Sequence, residues 1–244
     1  MNWLLAELTE VQIKEAVRRK YAGVAQRNEA CCGEQVITIG ENLPKESVAS
    51  AASCGSPVLH ASLREGEIVV DLGSGGGIDV FRASKLVGPT GKVIGIDSTP
   101  EMIFKARELA KKYAYENVEF RLGEIEHLPV ESDSIDVVIS NCVLNLVPDK
   151  ALAFKEIYRV LKPGGRIAVS DMVASSKFTQ PIDPDEWAEC IAGAVTMEEY
   201  GGLLQEVGLQ KIKPLDESPA LPESCCSAGV TVKSVAWLAE KPPH

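Results

Sequence analysis

Lysine and arginine form no run longer than Arg18–Lys20 in this chain, and its formal net charge is −10. With nothing to neutralise phosphates, nucleic acid and anionic membrane are poor partners, and a small-molecule substrate fits better. Nowhere do about 18 apolar residues run together, so no membrane-spanning helix is expected. The opening "MNWLLAELTE" has a short apolar run with no basic stretch before it and no small-residue cleavage site after it, so it does not read as an export signal. The expected compartment is therefore the cytoplasm, where thiols stay reduced. Cys-x-x-Cys spacings are also missing, as are histidines at ligand spacing from a cysteine, which disfavours zinc. Histidine is scarce altogether: His60, His127 and His244 are the three in the chain, so a histidine general base has few candidates. There is no internal repeat and no low-complexity tract.

What is present is a chain of 244 residues, 45% of them hydrophobic, long enough to bury a full core as one domain with extensions. From about residue 60, strand-like and helix-like stretches alternate as in a βαβ fold. "EIVVDLGSG" is an apolar run stopped by glycines, "IDVFRASKLVG" has helical spacing, and "KVIGID" is a second buried strand. "TPEMIFKARELAKKYA" opens on Thr99 as an N-cap with Pro100 at the first helical position. "VEFRLG" and "IDVVISN" read as strands three and four, "DKALAFKEIYRVLKPGG" as an amphipathic helix and "RIAVSDM" as strand five. Strands that are apolar on both faces predict an α/β fold, with a mostly parallel sheet and helices on both faces. "LQKIKPLDE" and "VTVKSVAWLAE" alternate more and are expected to pair as a terminal hairpin. The chain thus divides into a helical and loop extension over 1–60, a Rossmann-like core over 61–172, and an insertion with a closing helix and hairpin over 173–244.

"DLGSGGG", Asp71 to Gly77, falls where strand one turns into a helix. A glycine-rich turn alone serves NAD, FAD and other nucleotides, and a tight turn needing positive φ would also explain it. No Lys-Ser/Thr pair follows the glycines, which excludes a P-loop. Asp71 at this turn would repel a pyrophosphate but suits an ammonium group. Asp97 ends strand two, where a carboxylate can accept both hydroxyls of a ribose. "GEIEHLP", beginning at Gly123, offers Glu124 and the backbone of Ile125 to an adenine edge. Together these features describe S-adenosylmethionine, whose amino-acid end carries an ammonium and whose sulfonium is cationic.

The pattern resembles the class I methyltransferases over roughly residues 60 to 240. The resemblance implies a seven-stranded sheet whose last strand runs antiparallel. It also implies Gly73, Ser74 and Gly75 against the methionine moiety, Asp97 on the ribose, Met102 beside the adenine, and the backbone of Asn141 and Cys142 under the sulfonium. Cys142 is then expected to line the cofactor pocket rather than bind the substrate.

Seven cysteines remain to be explained, among them the adjacent pairs Cys31–Cys32 and Cys225–Cys226; the odd count argues against a fully paired disulfide framework. Trivalent arsenic is a soft centre that binds two or three thiolates, and its lone pair can attack a methyl group without a base. "ASCGSPVLHASLREGEIVVDLGSGGGIDVF", "VVISNCVLNLVPDK" and "ECIAGAV" look like the arsenite S-adenosylmethionine methyltransferases, with "CGSP" and "CIAGA" as the specific elements. That resemblance implies Cys54 and Cys190 as the As(III) ligands. Cys32, Cys225 and Cys226 would act as accessory ligands or a thiol relay, and glutathione or thioredoxin would be the reductant. The substrate would be arsenite, free or as a thiol conjugate, the role arsenic detoxification, and the protein a monomer. One departure stands out: where the family carries a further cysteine on the closing strand, this chain has Ser234. Three alternatives stay open, namely a class I methyltransferase for an organic small molecule, a thiol-based metalloid-binding protein without turnover, and a redox sensor using the vicinal pairs.

Overall fold

The apolar runs become strands β1 (Ile68–Leu72), β2 (Lys92–Asp97), β3 (Val118–Leu122), β4 (Ile135–Asn141) and β5 (Leu161–Ala174), followed by β6 (Gln210–Asp216) and β7 (Val232–Glu240). They are seen in a computed structural model, which describes residues 9–27, 43–48, 55–178, 183–216 and 230–243. The seven strands form one sheet in the order β3-β2-β1-β4-β5-β7-β6. Neighbours from β3 to β5 pair parallel, and β7 runs antiparallel to both β5 and β6, closing the sheet as the expected hairpin. Helices are α1 (Glu10–Arg27), α2 (Lys45–Val48), α3 (Pro57–His60), α4 (Ile78–Val87), α5 (Pro100–Lys112), α6 (Lys150–Val160), α7 (Pro184–Trp187) and α8 (Met197–Glu206). None of the described helices is long and apolar enough to cross a membrane.

Alternation along β1 decides which helices cover which face. Val69 packs with Val80, Phe81 and Ala83 of α4 and Ile103 and Ala106 of α5. Val70 and Leu72 point the other way, into a layer with Phe154 and Ile157 of α6, Tyr200 and Leu204 of α8, and Trp237 of β7. Because both faces are buried, the chain order reverses across β1, which lies between β2 and β4, and opens a crevice at the carboxyl ends of these strands.

Local chemistry sets the element ends. Thr196 and Glu199 form a capping box at the start of α8, and the Asp149 side chain accepts from the Leu152 amide at the start of α6. Thr99 and Pro100 do begin α5, but the Thr99 side chain makes no capping bond. The strand-end Asp97 instead accepts from the Thr99 amide at 2.8 Å. One boundary differs from the expectation. The helix in "DKALAFKEIYRVLKPGG" was expected to close at Pro163 and Gly164, but α6 already ends at Val160 and the chain enters β5 at Leu161. Pairing with the chain end enforces this: the Gly164 amide donates to the Lys241 carbonyl at 2.9 Å, and the Lys241 amide to the Gly165 carbonyl at 2.8 Å.

A carboxyl group is buried deep in this core. Asp171 of β5 accepts from the Tyr200 hydroxyl at 2.8 Å, and the Tyr200 ring stacks on Trp237 with centroids 4.8 Å apart. Tyr200→Phe keeps the stack and withdraws one donor from a buried carboxylate. It should lower stability by about 1–3 kcal/mol in a urea titration; an unchanged midpoint would mean the bond contributes nothing net.

Candidate functional site

At the carboxyl ends of β1, β2 and β4 lies an open cleft with about 1060 Å³ of empty space, its mouth included. That is ample for a nucleoside-sized ligand. Asp71, Gly73, Ser74, Gly75, Asp97, Met102, Gly123, Glu124, Ile125, Asn141 and Cys142 all line it, so residues from five separate sequence segments come together here. The glycine turn is shaped by its neighbours. Gly73 has φ +66, and a Cβ there would meet a Val143 methyl at 2.4 Å, so the turn admits only glycine at that point. The Ser74 amide donates to the Ile96 carbonyl at 3.0 Å, tying the turn to β2. The Asp97 carboxylate is held from both sides, by the Gly75 amide at 3.0 Å and the Thr99 amide at 2.8 Å.

The electrostatics of this floor favour a cationic ligand. Asp71 is almost fully buried, and loss of water pushes its carboxyl well above the usual carboxylate range, with Asp79 and Asp97 pushing the same way. Burial also raises Asp97, against the pull of its two backbone donors. Asp79, in the first turn of α4, was not singled out by sequence. It is buried in the same cleft, with Arg82 Nη1 at 3.2 Å from one oxygen and Asn141 Nδ2 at 3.4 Å from the other. The Ser74 hydroxyl, buried in the turn, has no hydrogen-bond partner among the described residues. Acidic side chains along the cleft floor and an unsatisfied hydroxyl in the glycine cradle fit a cationic nucleoside such as S-adenosylmethionine.

Helix α1 roofs the cleft. Lys14, Val17, Arg18 and Tyr21 line it, a spacing that puts all four on one helical face. Lys14 Nζ lies 2.8 Å from Glu124 Oε2 and 3.0 Å from Glu126 Oε1, and Arg18 also pairs with Glu124. The Lys14 hydrogen bond is the main reason the Glu124 carboxyl is held below its usual range. The acid expected at the adenine edge is therefore engaged by the roof. At the other end α1 reaches the insertion after β5, through Lys20 to Glu189 at 2.7 Å and Arg19 to Asp185.

There α1 meets the thiols. The Tyr21 hydroxyl oxygen is 3.2 Å from Cys190 Sγ. Cys142 and Cys190 are both buried and belong to one apolar cluster with Leu146, Met172, Ala174, Ala194, Val230 and Val232. Both have positive φ, +61 and +67, a conformation non-glycine residues adopt rarely. Cys142 lines the cleft, and it is also the described cysteine that shares Cys190's cluster. Its state differs from the expectation of reduced thiols: Cys142 is disulfide-bonded, whereas Cys190 keeps its thiol. Cys31, Cys32, Cys54, Cys225 and Cys226 lie outside the described residues. Ser234 is buried in β7, opposite Met172 of β5, and so on the same sheet face as that member of the thiol cluster.

Comparison with known proteins adds independent constraints. Residues 63–208, more than half of the chain, match the family model described as a methyltransferase domain. An arsenite methyltransferase of Halobacterium salinarum is 44% identical over 88% of this chain and 62% of its own length. The human arsenite methyltransferase is 35% identical over 84% of the chain and 60% of its own. The chain thus spans about 60% of the length of these curated relatives. The crystal structure of an arsenic (III) S-adenosylmethionine methyltransferase from Chlamydomonas reinhardtii superposes with a TM-score of 0.71 at 32% identity, covering 93% of this chain and 74% of that one.

Asp71 connects stability to ligand binding. Its raised pKa means that the folding stability it contributes is present at low pH and is lost as pH rises through the folded-state value. Asp71→Asn should therefore melt higher than the parent without ligand, by an amount that grows with pH. It should also bind S-adenosylmethionine about tenfold or more weakly, since a charge-assisted contact is lost. In the parent, affinity for this cationic ligand should fall as pH is lowered through the Asp71 pKa. Calorimetric titration across pH checks both; equal affinity in parent and variant at neutral pH would remove Asp71 from the ammonium role.

Proposed function

Since the chain belongs to the methyltransferase-domain family, we propose that it transfers the methyl group of S-adenosylmethionine to arsenite held on protein thiolates. The observation that carries this reading is Cys142, which lines the cofactor cleft and shares an apolar cluster with the reduced thiol Cys190. A substrate centre bound between these sulfurs lies beside the cofactor without need of a separate site. In this reading Cys142 and Cys190 are the inner As(III) ligands. Cys54 completes the set by resemblance, and Cys32, Cys225 and Cys226 serve as accessory thiols.

The cofactor supplies an electrophilic methyl group. Asp71 and Asp79 would receive its cationic amino-acid end, and Asp97, fixed by two backbone donors, would receive the ribose hydroxyls. Helix α1, anchored at Glu124 and Glu126, roofs the cleft and would limit the water that reaches the reacting groups. The Tyr21 hydroxyl, within reach of Cys190 Sγ, donates to the thiolate and favours the form that binds arsenic. No general base is needed, because the arsenic lone pair forms the new As–C bond as the methyl group leaves sulfur. That step formally oxidises As(III) to As(V). Two thiolate ligands then leave as a disulfide, and their electron pair returns arsenic to the trivalent state. Glutathione or thioredoxin dithiol reduces this disulfide, becoming oxidised in turn. The disulfide at Cys142 is a state that such a reductant must reverse before arsenite can bind. These requirements suit the reducing cytoplasm and a role in arsenic detoxification, and they can be met within one monomer.

The test incubates reduced protein with arsenite, S-adenosylmethionine and glutathione or thioredoxin, then separates the arsenic species. Methylated arsenicals above a no-enzyme control are expected, and their absence would sink the proposal. Cys142→Ser and Cys190→Ser should each lower turnover at least about 100-fold, because a misplaced or lost ligand misaims the nucleophile. Cofactor affinity should stay close to that of the parent in Cys190→Ser. If both variants turn over normally, the thiol assignment is wrong and an organic methyl acceptor becomes the better reading.

A further inference from the structure

Asn145 is wholly buried in the short 3-10 turn Leu144–Leu146, just past Cys142, and does not line the cofactor cleft. Its side-chain amide donates twice, at 2.8 Å to the Met172 carbonyl of β5 and at 3.3 Å to the Cys190 carbonyl. Both partners are carbonyls, so the amide is oriented with its nitrogen toward them. The other end, Oδ1, is buried with no hydrogen-bond partner among the described residues. Such orphaned acceptors are uncommon and costly, and an apolar side chain of the same shape would avoid this one. The amide is thus retained for its two donors.

Further contacts press the Cys190 segment onto the same turn. Trp187 Nε1 donates to the Leu146 carbonyl at 3.1 Å. Gly193 approaches so closely that a Cβ would sit 2.0 Å from the Asn145 carbonyl oxygen. Beneath the turn, the buried Lys150 ammonium donates to the carbonyls of Asn145 at 3.2 Å and Val147 at 3.0 Å. What these contacts hold is a strained residue, since Cys190 has φ +67. Backbone of that kind persists in a non-glycine residue only where the surroundings enforce it.

We infer that Asn145 is a positioning residue that clamps Cys190 to β5 and so sets the span between the Cys190 and Cys142 sulfurs. This role rests on the reading that these two thiols hold the metalloid. Asn145 touches neither cofactor nor substrate. Losing its donors frees the Cys190 backbone to relax, which widens or misorients the thiol pair and leaves the cofactor cleft as it was.

The experiment uses the full, reduced chain with Asn145→Leu, and with Gly193→Ala and Trp187→Phe as independent perturbations of the same docking should Asn145→Leu fail to fold. Arsenite binding is read from the thiolate–arsenic ultraviolet absorbance, cofactor binding by calorimetry, and methyl transfer as kcat and KM separately, each corrected for folded fraction. For Asn145→Leu, a cofactor Kd within about twofold of the parent, an arsenite Kd raised about tenfold and a kcat lowered about 100-fold are expected, the last being the scale of a misplacement near 1 Å. Gly193→Ala should repeat the pattern. A merely structural role would lower the folded fraction and leave both Kd values and kcat per folded molecule at parental levels, and that result would overturn the inference. If instead Cys142→Ser and Cys190→Ser both keep parental arsenite affinity, the underlying thiol reading fails, separately from Asn145.

Discussion

Asp71 is 3% exposed at the end of β1, and the charged groups that act on it most are two more carboxylates, Asp79 and Asp97. Three acids converging on one cleft cannot all ionise without cost, and of the three Asp79 has the Arg82 guanidinium at 3.2 Å. The glycine turn, the close Gly73–Val143 approach and the two amides on Asp97 then act to keep these acids from relaxing apart. A ligand that brings positive charge removes the penalty that the fold has accepted, which is how a cleft gains affinity at the expense of stability.

The same logic explains the roof. Glu124 and Glu126 also line the cleft, and α1 covers them with Lys14 and Arg18. Because α1 continues to Tyr21 beside Cys190, one helix touches both the acidic and the thiol halves of the site. The thiol half is apolar by contrast, with Cys142 and Cys190 packed among Leu146, Met172 and Ala194. An apolar setting of this kind suits the soft, uncharged centre proposed above, and hard carboxylates suit a cationic ligand. The two chemistries meet at Cys142.

Much of this was legible from short segments. Apolar runs such as "EIVVDLGSG" and "KVIGID" report burial on both faces directly, and Thr99-Pro100 marks a helix start whatever surrounds it. The eleven cleft residues anticipated from these segments were legible because strand ends in a parallel sheet converge at one edge, so naming the strands also names the neighbours. Asp79 was not, since an acid in the first turn of a helix reads as ordinary dipole compensation. Nor was the α1 face: Lys14, Arg18 and Tyr21 have helical spacing, but their charges look solvated until the acids opposite them are known.

By itself, the sequence determined the α/β architecture and the glycine turn with its strand-end acids, because each is written in residues close together along the chain. Only the tertiary structure decided which described cysteines share a cluster. Cys142 and Cys190 are 48 positions apart by their numbers, on β4's exit and in a post-β5 insertion, and nothing local to either encodes the other. Their meeting depends on the parallel pairing of β4 with β5 and on the docking of residues 187–193 against the Leu144–Leu146 turn. Those are long-range contacts of backbone carbonyls and a single buried amide, which leave no periodic trace in the sequence.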